Sequence, residues 1–249
     1  MIMIMLSQSE FRSVNLLLFL MIACLPVFSF AVGDALVELD SVKVDLSDKQ
    51  RILRGGQHFQ QSCLSCHSLG DFVNDPVAKE LGLTKQQMPV WPEDSWNGHP
   101  PPDLSLIALS MSPDWLYTYL RTYYVDRSRP TGFNNLVYPN TNMPNPFVDM
   151  QGRQVLINPN YFDRHAGHHE QFWYRIIKLK ETGRLSPADF DEYVDDIVLF
   201  LTYVSDPSIH IRRQIGPWVL GYLLLFISVT YAYFKLMGRF YFKPPPPHR

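Results

Sequence analysis

A mainly α-helical fold, with long loops and one C-terminal transmembrane helix, is predicted by three features of the sequence. Two stretches, one from Ser47 and one from Ser186, space their apolar residues as a helix does. The chain has 20 prolines, clustered in 92–146 and at the extreme C-terminus, so the middle of the chain reads as loop. Near the end, Ile215 to Phe234 carry no charge at all.

The N-terminus opens with Arg12 and then an almost wholly apolar run from Val14 to Ala31, broken by Asn15, Pro26 and Ser29. Ser29-Phe30-Ala31 supplies the small-x-small site of a signal peptidase, so cleavage is expected after Ala31. The alternative is an uncleaved anchor. Residues 32–47 alternate apolar and polar through Val37, Leu39, Val42, Val44 and Leu46, as in a short strand or an extended arm. Ser47 is the expected cap of a helix carrying Ile52, Leu53 and Phe59. Gly55 and Gly56 inside it each cost about 1 kcal/mol against alanine, which suggests a close crossing with another element.

Further along, Asp114 is the expected cap of a helix over 112–123, with Trp115, Leu116, Tyr119 and Leu120 inward. Another helix is expected over 168–180, burying Phe172, Ile176, Ile177 and Leu179. The segments 84–104 and 124–162 read as loops that wrap something. Ser186-Pro187-Ala188-Asp189 has the N-cap, proline and acidic residue of a helix start. Tyr193, Val194, Ile197, Val198, Leu201 and Val204 then form an apolar face, opposite an acidic run over 189–196 that reads as a wet surface or a steering patch for a basic partner. Pro207 ends this helix.

The uncharged stretch 215–234 spans roughly the 30 Å of a bilayer core as a helix. Trp218 and Tyr222 stand at one end, Tyr231 and Tyr233 at the other, as interfacial belts do. Arg212 and Arg213 precede it; Lys235, Arg239, Lys243 and Arg249 follow, which predicts a cytoplasmic C-terminus. The chain thus divides into a signal peptide (1–31), an outer soluble domain (32–205), a hinge (206–214), a span (215–234) and a tail (235–249).

An apolar content of 46% allows a packed core, and a net charge of −2 gives no reason to expect nucleic-acid binding. Only three cysteines are present, and Cys24 lies in the expected signal. The other two stand in Cys63-Leu64-Ser65-Cys66-His67, a C-x-x-C-H pattern. Two thiols at this spacing on a helical turn reach the two vinyl groups of a haem, and the adjacent histidine then falls over the iron. A redox dithiol lacks the expected βαβ context, and a zinc site lacks a second ligand pair.

The second axial position separates electron transfer from small-molecule chemistry. A histidine–methionine pair closes the iron and raises its potential. Met143, in Tyr138-Pro139-Asn140-Thr141-Asn142-Met143-Pro144, sits in a proline-bounded loop suited to aiming one side chain; Met88 is the next candidate, with a surface-loop reading beside it. Met111 and Met150 read as packing residues. The loop around Pro100-Pro101-Pro102-Asp103-Leu104-Ser105 is expected to pack the haem edge and offer a backbone carbonyl to His67. His165, His168 and His169 form a local cluster without cysteine or carboxylate ligands, and read as a solvated helix start.

Together with the haem motif, Pro-Pro-Asp-Leu-Ser, Trp-Leu-Tyr-Thr-Tyr-Leu at 115–120, Tyr-Val-Asp at 124–126, Arg-Pro-Thr-Gly-Phe-Asn-Asn at 129–135, Met143-Pro144 and one C-terminal span resemble bacterial cytochrome c1. The resemblance covers nearly the whole mature chain. It implies a class I cytochrome c-like helical domain with one covalent haem c, thioethers at Cys63 and Cys66, and His67 and Met143 as axial ligands. It also implies a crossing of the N- and C-terminal helices at Gly55 and Phe59. The implied role is electron transfer in a cytochrome bc1 complex of the bacterial inner membrane. There the partners would be cytochrome b, a Rieske iron–sulfur subunit, membrane lipid and a c-type cytochrome acceptor. One departure stands out: no basic residue lies in 106–112, where the family usually has an arginine near a haem propionate, so either another residue such as Arg121 or Arg127 serves or the propionate is more solvated. The competing class is a haem enzyme or sensor with an open iron, for which His99 is the one obvious acid–base candidate; a haem subunit of a terminal oxidase is a third.

Overall fold

The computed structural model describes residues 37–158 and 172–241. The expected signal peptide, the histidine cluster at 165–169 and most of the C-terminal tail lie outside the described residues. The elements are α1 (Lys49–Ser62), α2 (Pro76–Glu80), α3 (Ser95–Gly98), α4 (Ile107–Ser110), α5 (Pro113–Arg121), β1 (Tyr123–Val125), β2 (Phe133–Asn135), α6 (Val148–Gln151), β3 (Gly152–Leu156), β4 (Ile177–Thr182), α7 (Pro187–Ser205) and α8 (Ile209–Tyr241). The fold is mainly α, as expected.

Helices α1 and α7 cross to form the scaffold. Asp48, rather than Ser47, caps α1: its side chain accepts from the Arg51 N–H, while the Ser47 hydroxyl donates to Asp45. The carboxylate outcompetes the hydroxyl because it is the stronger acceptor. α1 buries Ile52, Gly55, Gly56 and Phe59. A Cβ on Gly55 would lie 1.9 Å from the Asp196 carbonyl oxygen, so only glycine allows the helices this close. Ser186 caps α7 by accepting from the Asp189 N–H. Phe59 and Phe72 both pack on Phe200, with ring centroids 5.7 and 5.6 Å away. Each such buried phenylalanine contributes about 2–3 kcal/mol relative to exposure.

The acidic side of α7 is wet only in part. Asp196 is fully buried and accepts from Arg51 Nε at 2.9 Å and from Arg54 Nε. Asp195 pairs with Arg51, Glu192 with Arg54, and Asp191 with Arg121. α7 is clasped by α1 on one side and by α4 and α5 on the other, and Asp191, Glu192, Asp195 and Asp196 meet arginines there. Asp196 is sealed from solvent, whereas Asp189 and Glu192 stay exposed and Asp191 partly so.

Helix α5 is capped by Ser112, whose side chain accepts from the Trp115 N–H, with Pro113 in the first turn. Asp114, expected as the cap, instead accepts from the Val42 N–H at 2.8 Å. That contact, with Asp40 N–H donating to Thr118 Oγ1, ties residues 37–46 down as an extended arm rather than a strand.

The helix expected over 168–180 is absent from its described part. A short 3-10 turn (Trp173–Arg175) leads into β4, which pairs antiparallel with β3 and has a register irregularity at Arg153/Gln154. Ile176 and Ile177 are buried, but Phe172 and Leu179 are exposed. From Ile177 the chain alternates with lysines, a period of two that favours pairing over a helical face. The expected loop 124–162 likewise contains structure: β2, paired with β1, then α6 and β3. Segment 84–104 keeps its loop character, with a 3-10 turn at Lys85–Gln87 and the single turn of α3.

Beyond α7 the chain leaves helix only at 206–208, so the expected hinge is mostly taken up by the start of α8. α8 has 33 residues, about 50 Å of helix. Its segment Gln214–Met237 has a mean hydropathy of 1.7 and no buried surface. It contains the expected span and fits a helix that crosses a membrane.

Candidate haem site

The last turn of α1 runs directly into the motif. Cys63 N–H donates to the Phe59 carbonyl at 2.8 Å, and His67 N–H to the Cys63 carbonyl at 2.9 Å. One tight turn therefore carries Cys63, Cys66 and His67. Neither cysteine is in a disulfide. Cys63 is buried, and desolvation pushes its thiol up to about 12, the opposite of the low-pKa cysteine of a redox dithiol.

His67 is buried and its Nδ1 lies 2.8 Å from the Pro102 carbonyl oxygen, the contact expected of the triple-proline loop. Burial lowers the His67 pKa, outweighing the Pro102 hydrogen bond and nearby Asp103, so the ring is neutral. A neutral ring that donates from Nδ1 presents its Nε2 lone pair as a ligand. The carbonyl itself is fixed by Asp103. One carboxylate oxygen accepts from Ser68 Oγ at 2.6 Å and Gly70 N at 2.7 Å, the other from Ser105 N at 2.8 Å. Leu104 N–H adds a bond to the Ser68 carbonyl at 2.9 Å. Pro-Pro-Asp-Leu-Ser is thus stapled to the strip that follows His67.

Met143 sits apart from that turn, on a loop braced by two asparagines. Asn135 Oδ1 accepts from Val137 N and Tyr138 N, and Asn134 Oδ1 from Asn140 N. Asn140 has φ of +65°, a left-handed turn that asparagine tolerates. Arg129 donates to the Asn140 carbonyl at 2.7 Å. Met143 is half-buried, and its sulfur accepts from Tyr119 Oη at 3.5 Å. Tyr119 and Tyr123 are buried and joined by a hydrogen bond of 2.6 Å; desolvation raises both phenol pKa values, so both stay protonated.

Met88 is neither a surface residue nor free. It is buried, and its sulfur accepts from the Leu69 N–H at 3.3 Å, beneath the strip that follows His67. Met111 and Met150 pack against the core, as expected. Arg121 is committed elsewhere, to Asp40 and Asp191 and over the rings of Tyr117 and Trp173. Arg127 and His99 are exposed.

Several contributors were not singled out from sequence. Trp91 Nε1 donates to the Cys66 carbonyl at 2.8 Å, and Trp96 meets it edge-on at 5.8 Å. Tyr119, Asn134, Asn135 and Arg129 were visible only as parts of motifs, with no local pattern to reveal their contacts.

Curated relatives of two different names match the chain. Cytochrome c1 of Allochromatium vinosum is 33% identical over 252 residues, covering 93% of this chain and 98% of that protein. The chain belongs to the cytochrome c1 family. Cytochrome c1 of Blastochloris viridis is 26% identical over 74% of the chain and 79% of its own length. A protein of Nitrosomonas europaea named ammonia monooxygenase gamma subunit is 31% identical over 86% and 93%. No family model matches the chain.

As a cytochrome c1-type electron-transfer subunit, the chain has haem as its cofactor, and the residues fit that group. A neutral buried imidazole with its outer nitrogen fixed, a thioether on a braced loop and two reduced thiols on one turn form a suitable donor set. Among the described residues there is no group of three or more His, Cys, Asp or Glu placed to hold a metal ion.

Proposed function

We propose that this chain carries electrons in a respiratory cytochrome bc1 complex (ubiquinol–cytochrome c reductase), from a Rieske iron–sulfur subunit to a c-type cytochrome, beside cytochrome b. In this reading Cys63 and Cys66 hold one haem c by thioethers, with His67 and Met143 as its axial ligands. The haem domain lies in the periplasm of a bacterial inner membrane, α8 crosses the lipid once, and the C-terminus is cytoplasmic.

The observation that carries the reading is the hydrogen bond between His67 Nδ1 and the Pro102 carbonyl. It supports a histidine held in one tautomer and one orientation, which an axial ligand requires. Haem, when bound, supplies a one-electron couple. The chain's residues would do the rest: His67 and Met143 would hold the group, and the Asp103 staple and the asparagine brace keep these two side chains in place. A second reading, that the chain delivers electrons to a monooxygenase, is favoured by the likeness to the Nitrosomonas europaea protein. The proteins that copurify with the chain in mild detergent distinguish the two readings.

The test is optical. The detergent-extracted protein, reduced and exposed to carbon monoxide, keeps a sharp low-spin spectrum, while Met143→Ala binds the gas. Ready carbon monoxide binding by the wild-type protein overturns the closed-iron reading and favours an enzyme or sensor.

A further inference from the structure

Met143 does not stand alone in its loop. Its sulfur faces the Tyr119 hydroxyl at 3.5 Å, and that hydroxyl is also 3.0 Å from Thr141 Oγ1 and 2.6 Å from the Tyr123 hydroxyl. All three hydroxyl-bearing residues are buried. Thr141 Oγ1 in turn accepts from the Met143 backbone N–H at 3.3 Å, so the same cluster holds both the main chain and the side chain of this methionine.

The protons can be assigned. A tyrosine hydroxyl has one proton and accepts through its oxygen; a thioether only accepts. Tyr123 donates to Tyr119 Oη. With Thr141 Oγ1 occupied as acceptor by the Met143 N–H, its own proton goes to Tyr119 Oη, and Tyr119 directs its proton at the sulfur. Two donors converging on Tyr119 Oη make it a stronger donor, because hydrogen bonds in a chain polarise one another. Tyr119 is fixed in place by stacking on Trp115, with centroids 4.8 Å apart, and by the edge of Tyr123.

We infer that Tyr119, backed by Tyr123 and Thr141, is a positioning residue that hydrogen-bonds the Met143 thioether and raises the redox potential of the site. The inference rests on the proposed axial role of Met143. A sulfur has two lone pairs. With one given to the iron and one to the Tyr119 proton, it is a poorer electron donor, and a poorer donor favours the ferrous over the ferric state. The two tyrosines are four positions apart and straddle the end of α5, so the cluster depends on that helix ending at Arg121 and the chain continuing into β1.

The experiment is equilibrium redox titration of the full-length, haem-loaded protein in detergent, with the optical spectrum recorded at each potential. Wild type, Tyr119→Phe, Tyr123→Phe and Met143→Ala are compared. Tyr119→Phe keeps the ring and its stacking and loses only the hydroxyl. The expected result is a lower midpoint potential with the low-spin spectrum and carbon monoxide resistance retained; Tyr123→Phe shifts it the same way by less. An unchanged potential in Tyr119→Phe, beside a Met143→Ala variant that opens to carbon monoxide, overturns the inference and leaves the axial assignment standing. A Met143→Ala variant that stays closed overturns the axial assignment itself. A Tyr119→Phe protein that keeps its potential but binds carbon monoxide also overturns the inference, because the hydroxyl would then hold the loop without tuning the sulfur.

Discussion

Gly55 sets the distance of closest approach between α1 and α7. Any larger side chain there meets backbone, 1.9 Å from the Asp196 carbonyl oxygen, and backbone gives way only if a helix moves. Gly55→Ala is therefore expected to cost about 3 kcal/mol or more, at the upper end of overpacking effects. Thermal unfolding followed by the haem spectrum checks this, and an unchanged midpoint would mean that the helices separate easily. At this scale the sequence was readable wherever the chemistry is local. The haem motif lies within five residues, and Met143 stands between prolines and asparagines that announce a tight turn. Residues whose partners lie far along the chain were not readable. Arg121 looked available for an anionic group, yet it pairs with Asp40 and Asp191, which lie 81 and 70 positions away. Tyr119 looked like one more apolar position of α5, and only the folded loop reveals its hydroxyl beside the Met143 sulfur.

The crossing of α1 and α7 also contains a titrating group at the level of elements. His58 stacks on Tyr193 with centroids 4.0 Å apart, faces Asp196 at 4.0 Å and has Arg54 and Glu192 nearby. Desolvation lowers its pKa, more than offsetting the attraction of Asp196. Above the unfolded value of about 6.5 both states are neutral and the full stability is present. As the pH falls below that value the unfolded chain takes up the proton first, so stability is lost toward the folded pKa. His58→Phe, which keeps the ring, should flatten the decline in melting temperature between about pH 7 and 5. An equal decline in both proteins would place the acid sensitivity elsewhere. The start of α7 was legible from its Ser186-Pro187 punctuation, whereas the same Ser-Pro signal at Ser112-Pro113 was passed over for Asp114. β4 was misread because the Ile176-Ile177 pair suits either period over so short a run. β1 and β2 were missed because three-residue strands declare themselves only when paired.

The whole molecule joins two different solvents. The core of the outer domain is closed by buried aromatic rings, whereas α8 turns Leu220, Leu224, Phe226 and Ile227 outward on a helix with no buried apolar surface. Ending the chain after Ser208 should therefore give a water-soluble haem protein with an unaltered reduced spectrum. Retention in the membrane fraction, or loss of the low-spin spectrum, would show that α8 helps to build the domain. The apolar helix was legible because twenty uncharged residues in a row have the length of a membrane span.

The link between these two parts is very short. Helix resumes at Ile209 after only Asp206, Pro207 and Ser208, and Arg212 on the first turn of α8 is tied back to Asp206. Three residues reach at most about 10 Å when fully extended. On so short a leash the domain has little radius in which to travel. In the proposed role, carriers that bring and remove electrons must therefore close the distance by their own movement, and lengthening this link should not increase the rate at which they arrive.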